Sequence, residues 1–229
     1  MISKKYVIIV IFILFLFTKS KAESGVVSGT FSGVSTYVFR GIKVYDGVAL
    51  QGSFDTVYNI LAFGVWYSTV DFGKNGPRLE IDPYLSINFN FSHFLFSTGL
   101  TNYMYDTSVL SNDSSYEYEL FAKIVFKDFK IASYYVPNQP ATQIYISKSY
   151  YWLEIAYERE FFNMIWSAQL AYGSYPLRFS KAFNKSATGQ ILFTGVKPLN
   201  DFIALNWNYS HSIDLYSSDY FWFGLVFNY

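Results

Sequence analysis

The last ten residues, Tyr220 to Tyr229, read YFWFGLVFNY. Counted back from the end, Tyr229, Phe227, Leu225, Phe223 and Phe221 are all aromatic or large and apolar. Between them stand Tyr220, Trp222, Gly224, Val226 and Asn228. Successive side chains of a strand point to opposite faces, so one face of this stretch is a continuous apolar ladder. In a water-soluble sheet a terminal strand this apolar is a sticky edge. In a transmembrane barrel the same strand closes the sheet and turns its ladder to lipid. The sequence predicts the second arrangement.

Composition agrees. Of 229 residues, 22% are aromatic and only 15% charged, against about 25% charged in soluble domains. After the N-terminus no apolar run approaches the roughly 20 residues of a spanning helix. Strands that are apolar on one side only reconcile these facts. A terminal aromatic preceded by apolar residues at every second position also resembles the C-terminal signal that marks bacterial outer-membrane proteins for the barrel-assembly machinery. There is no cysteine, which excludes disulfides, thiolate nucleophiles and cysteine metal sites.

Residues 1–22 read as a secretory signal. Lys4 and Lys5 precede an eleven-residue apolar core, Val7 to Phe17, and Ser20-Lys21-Ala22 places small residues at a cleavage site. The alternative is an N-terminal membrane anchor. Cleavage would remove four of the 17 basic residues and none of the 17 acidic ones, leaving a net negative chain at 23–229. That charge balance does not suit nucleic-acid binding.

From Val26 onward, period-two runs recur. They predict strands near 26–39, 48–58, 61–70, 78–90, 94–104, 115–126, 130–136, within 143–157, and near 162–172, 187–196, 203–209 and 220–229. The clearest sets Leu79, Ile81, Leu85, Ile87 and Phe89 against Arg78, Glu80, Asp82, Tyr84, Ser86, Asn88 and Asn90. Pro83 falls on its apolar face, which predicts a local bulge. The connections alternate between tight (near 59, 91–93, 127–128, 158–161, 197–200) and longer and polar (41–46, 71–77, 105–114, 137–142, 173–186, 211–218). Outer-membrane barrels show this rhythm of short periplasmic turns and long external loops. The expectation is an all-β, antiparallel, up-and-down transmembrane barrel of about twelve strands in the bacterial outer membrane, with both termini periplasmic. The pattern is weakest around 130–157, where 130–136 is short and only the second half of 143–157 alternates.

Residues 33–41 read GVSTYVFRG, followed by Gln51 and Gly52, by Gly64, Trp66 and Ser68, and by Glu80, Asp82 and Tyr84. This series resembles the TorF-type porin family, whose N-terminal pattern is approximately S-x-Y-x-F-R-G, Q-G, G-x-W-x-S and E-x-D-x-Y. The likeness covers about the first third of the chain after residue 22. It departs where the family often has a Gly-aromatic pair and this chain reads Ile60-Leu61-Ala62-Phe63. The resemblance implies a barrel and pore activity.

Facing the apolar sides to lipid puts Asp55, Arg78, Glu80, Asp82, Glu117, Glu119, Lys123 and Glu154 on the lumen side, with Arg40 at the mouth. The Glu80/Asp82 and Glu117/Glu119 pairs read as lumen lining rather than acid–base machinery, since no substrate-shaping motif accompanies them. Arg40 either pins the first loop by ion pairing or acts as a filter charge. The carboxylate excess predicts a weak cation preference, and 173–186 is the candidate for an inward, constricting loop. His93 falls in a short turn and His211 at a rim; neither has a metal-ligand spacing. Ser212 adjoins His211, but the H-x-S spacing of outer-membrane phospholipases is missing because Ile213 holds the third place. The expected function is passive diffusion of small polar solutes or ions, without cofactor or enzymatic activity. The partners are membrane lipids and the assembly machinery, and self-association is left open. The rivals are a non-conducting structural or adhesive barrel and, further off, a lipid-acting barrel enzyme.

Overall fold

The computed structural model describes residues 25–70, 78–106, 114–137, 149–177, 185–213 and 218–228. The signal sequence read at 1–22 lies outside them. Twelve antiparallel strands close into a barrel. They are β1 (Val26–Val34), β4 (Ala49–Tyr58), β5 (Leu61–Val70), β6 (Arg78–Phe91), β7 (Phe94–Asp106), β8 (Ser114–Phe126), β9 (Phe129–Val136), β10 (Tyr150–Glu160), β11 (Ile165–Leu177), β12 (Lys185–Pro198), β13 (Ile203–Ile213) and β14 (Ser218–Asn228). A two-stranded hairpin, β2 (Tyr37–Phe39) and β3 (Ile42–Tyr45), forms a separate sheet between β1 and β4.

The terminal strand does what its ladder requires. β14 pairs with β13 on one side and with β1 on the other, Phe31 opposite Phe227 and Val34 opposite Gly224. No edge is left, which removes the aggregation hazard of so apolar a strand. Phe221, Phe223, Leu225 and Phe227 face outward and are exposed, while Trp222 is buried inside. The same alternation runs round the wall: Leu85, Leu120, Leu153, Leu170 and Phe193 are exposed outside. At the short-turn end Phe91, Phe94, Phe129, Phe161 and Phe202 form an exposed aromatic belt, with Phe94 stacked on Phe126 at 4.5 Å. Such belts mark the lipid–water boundary of membrane barrels.

Several sequence expectations need correction. The first strand ends at Val34 rather than at 39, and the segment expected as loop 41–46 is largely β3. Pro83 causes no bulge; it stays in register opposite Val65, and the ladder to β7 lapses between Ile81 and Tyr84 without a shift. Among the described residues the barrel wall shifts register between Tyr172 and Tyr175, and the hairpin between Tyr37 and Val38. The eighth strand starts at Tyr150, and the turn expected at 158–161 falls at 161–164 because β10 runs on to Glu160. Of the loop expected at 173–186, both flanks are strand, and 178–184 lies outside the described residues.

Candidate functional site: a hairpin seated in the barrel mouth

The hairpin folds into the barrel at its long-loop end. Its tip is the two-residue turn Arg40-Gly41, with φ of 49° and 76°. Positive φ at both central residues is the geometry of the tightest hairpin turn, which usually carries Asn-Gly. Glycine adopts it freely, whereas an arginine held there costs about 1–2 kcal/mol. That cost is accepted where the surroundings fix the residue.

The surroundings do fix it. Arg40 donates from Nη1 to Glu119 Oε2 at 2.6 Å and from Nη2 to Glu119 Oε1 at 2.9 Å. Side-chain exposure of the two is 4% and 1%. Guanidinium remains charged in proteins and its planar fork matches a carboxylate, so this is the strong, two-pronged form of the ion pair. The Arg40 Cζ lies 4.6 Å from the Tyr134 ring centroid, 4.8 Å from Phe39 and 5.9 Å from Trp152. Tyr103 donates to Glu119 Oε1 at 2.9 Å, holding the carboxylate from the other side. Gly41 lies against the far wall, where an added Cβ would be 3.1 Å from Ser212 Cβ. The tip therefore touches β8 on one side and β13 on the other.

Apolar packing seats the rest of the hairpin. Tyr37, Ile42 and Val44 join Val34, Ala49, Val70, Val136, Tyr150, Trp152, Ala171 and Trp222 in one buried cluster. The inner wall at the mouth is thus apolar where the hairpin sits. Below it the wall turns acidic. Glu80, Asp82, Glu117, Glu119 and Glu154 are buried, and Arg40 is the buried cation among the described residues. Glu117 accepts from the Tyr150 hydroxyl, and Glu154 accepts from Trp152 Nε1 and Tyr134 Oη, each at 3.2 Å. Asp82 Oδ1 has no hydrogen-bond partner among the described residues. Lys123 shares this inner face, its Nζ 4.6 Å from the Phe121 ring centroid. Toward the short-turn end the wall is polar and only half-buried, with Ser53, Asp55, Tyr84, Asn88, Gln169, Thr194 and Asn206. There Asp55 accepts from Tyr84 Oη, and from Ser53 Oγ at 2.7 Å.

The residues singled out from sequence are placed as follows. Asp55, Glu80, Asp82, Glu117, Glu119, Lys123 and Glu154 share the inner face, and Arg40 is inside with them. Arg78 opens β6, and its side chain lies outside the described residues. Tyr103, Tyr134, Tyr150 and Trp152 were not singled out, although Tyr150 and Trp152 share the inward parity of Glu154 on their strand. His93 is exposed in a short turn. His211 Nδ1 meets Asp219 Oδ1 at 2.9 Å near the rim, and Tyr209 donates to the same oxygen at 2.7 Å. Ser212 has the opposite parity and is fully buried in the interior, away from His211.

A bacterial protein family described as of unknown function (Gcw_chp) matches residues 19–185. The chain belongs to this family. That family's description carries no porin name, so the TorF-type likeness of residues 33–84 extends only to a bacterial family whose member here folds as a barrel of outer-membrane type. No curated protein matches the sequence. Among solved structures, an outer membrane channel from Pseudomonas putida F1 is similar, at 11% identity and a TM-score of 0.51, covering 89% of this chain and 93% of that one. A chain from work on in-meso crystallization of membrane proteins is similar at 10% identity and a TM-score of 0.59, covering 88% and 83%. Outer membrane phospholipase A from Escherichia coli is similar at 8% identity and 0.49, covering 88% and 92%. At these identities the likeness is one of fold. The barrel resembles those of bacterial outer-membrane proteins.

Proposed function

We propose that the protein is a porin-like outer-membrane channel for small polar solutes or ions, closed at rest by its own first hairpin. The observation that carries this reading is the change along one inner wall: polar and half-buried at the short-turn end, acidic in the middle, apolar under the hairpin at the mouth. A barrel built only to be solid has no use for a charged interior, because buried carboxylates are expensive to desolvate. Twelve strands leave more interior than the side-chain-filled eight-stranded barrels. The short turns and both termini would face the periplasm, as in other barrels of this kind. Membrane lipids and the assembly machinery are then the natural partners.

Planar-bilayer recording tests this. Discrete conductance steps, rare in the native protein and frequent once the hairpin is unseated, are expected. Silence of both the native barrel and a hairpin-deleted one would refute the channel. A second reading, a non-conducting structural or adhesive barrel, is favoured by the hairpin filling the mouth, and the same recording separates the two. A lipid-acting enzyme is less well supported, because Ser212 points into the barrel while His211 points out. The protein is accordingly proposed to be non-enzymatic.

A further inference from the structure

We infer that the pocket around Glu119 is a recognition site for solutes carrying a guanidinium group, and that Arg40 is its tethered occupant. The inference rests on the channel reading for its purpose but not for its chemistry. The pocket has the parts that a free guanidinium needs. Glu119 presents both carboxylate oxygens in one plane, 2.6 and 2.9 Å from the guanidinium nitrogens. Tyr103 fixes that plane by its own hydrogen bond to Oε1. The faces of Tyr134 and Trp152 flank the cation from β9 and β10. These four residues belong to the barrel wall, so the pocket survives when the hairpin leaves. A planar, weakly hydrated cation that forks and stacks fits such a pocket; a compact, strongly hydrated ammonium fits it less well.

The charge balance points the same way. Around Arg40 the inner wall is rich in carboxylates: Glu80, Asp82, Glu117, Glu119 and Glu154 are buried there, with Lys123 on the same face. Asp82, 5% exposed and within electrostatic reach of Glu119 and Glu80, keeps one carboxylate oxygen without a hydrogen-bond partner. A solute bearing one guanidinium and a second cationic group would use both features. Arg40 is the first central residue of the hairpin's own two-residue turn, so it enters and leaves the pocket with the hairpin. A soluble guanidinium arriving at the mouth competes with a tethered one for the same carboxylate, and its success lifts the hairpin.

The test uses agmatine, which pairs a guanidinium with an amine, on detergent-folded protein with Trp fluorescence as readout. Arg40→Ala vacates the pocket. Saturable binding to Arg40→Ala is expected, weakened at least about tenfold in the native protein, where the tethered group acts at millimolar effective concentration. Binding should be lost in Arg40→Ala/Glu119→Ala, and 1,4-diaminobutane should bind markedly more weakly than agmatine. Equal binding of the two amines, or binding insensitive to Glu119, would overturn the inference. If Arg40→Ala fails to fold, agmatine-dependent tryptic cleavage at Lys43 in the native barrel serves instead, and no dependence overturns it. The channel reading is judged separately by conductance: a silent barrel that binds agmatine through Glu119 loses the channel and keeps the site.

Discussion

Arg40 and Glu119 stand 79 positions apart in the chain and meet through two hydrogen bonds inside the barrel. One belongs to a hairpin tip and the other to a wall strand, so this ion pair adds a charged tie to the apolar packing that seats the hairpin. Removing one partner of a buried pair costs about 3–5 kcal/mol, because the other charge stays buried without compensation. The hairpin, held otherwise by apolar packing, is the part that can yield.

Glu119→Ala is therefore expected to unseat the hairpin while the barrel stays closed. Trypsin should nick the folded variant after Arg40 or Lys43 and leave the native protein intact there. Heat-modifiable gel mobility reports that the barrel itself is folded. An uncut Arg40–Gly41 bond in folded Glu119→Ala would contradict the seating described here.

Phe223 lies mid-strand on the outer face of β14 and is 63% exposed. A lipid-facing arginine near the middle of a barrel wall costs about 2–4 kcal/mol. Phe223→Arg should lower the folded fraction on refolding into vesicles. Trp222→Arg, on the inner face of the same strand, should instead disturb the mouth cluster and loosen the hairpin. Equal behaviour of the two would mean that the facing is not as described.

Selectivity is the third expectation. Glu119 is paired with Arg40, so changing it mixes charge with closure. Asp55, half-buried in the open part of the interior, and Glu117 separate the two better. A conducting barrel should prefer cations, more so at low salt. Asp55→Asn/Glu117→Gln should reduce the permeability ratio by about twofold or less, since charge is screened over about 8 Å at physiological salt. Reversal potentials in a salt gradient measure it, and an anion preference in the native barrel would count against an acidic lumen.

The wall was legible in the sequence because lipid imposes the period. In β6 the outward Leu79, Ile81, Leu85 and Ile87 and the inward Glu80 and Asp82 leave one register. The hairpin was not legible for the same reason. Tyr37 and Phe39 continue the alternation of β1, and a side chain that packs on an inner wall looks, in sequence, like one that meets lipid. What distinguishes them is Arg40-Gly41, a turn whose first residue is a poor left-handed residue, so turn chemistry gave no warning. Of the two roles weighed for Arg40, the geometry matches the pin: it is ion-paired to Glu119 and buried. The partner could not be found without the fold.

Val34 and Ala49 are paired partners in the barrel wall, so the hairpin hangs from a closed ladder position. Replacing residues 35–48 with Asn-Gly should join β1 to β4 by a tight turn and leave a folded, open barrel. Larger and steadier conductance than the native protein is expected. A failure to fold, checked by gel mobility, would show that the hairpin is part of the barrel's core.

The apolar cluster under the hairpin has one more consequence. A hairpin that lifts uncovers a collar of Val70, Val136, Trp152, Ala171 and Trp222. Narrow apolar collars expel water and stop ions without any solid obstruction. In a channel of this kind the mouth would carry a second barrier behind the first, one that wets and dries. A solute that displaces Arg40 would meet that collar next, and how readily it wets would set how large the current becomes once the hairpin has lifted.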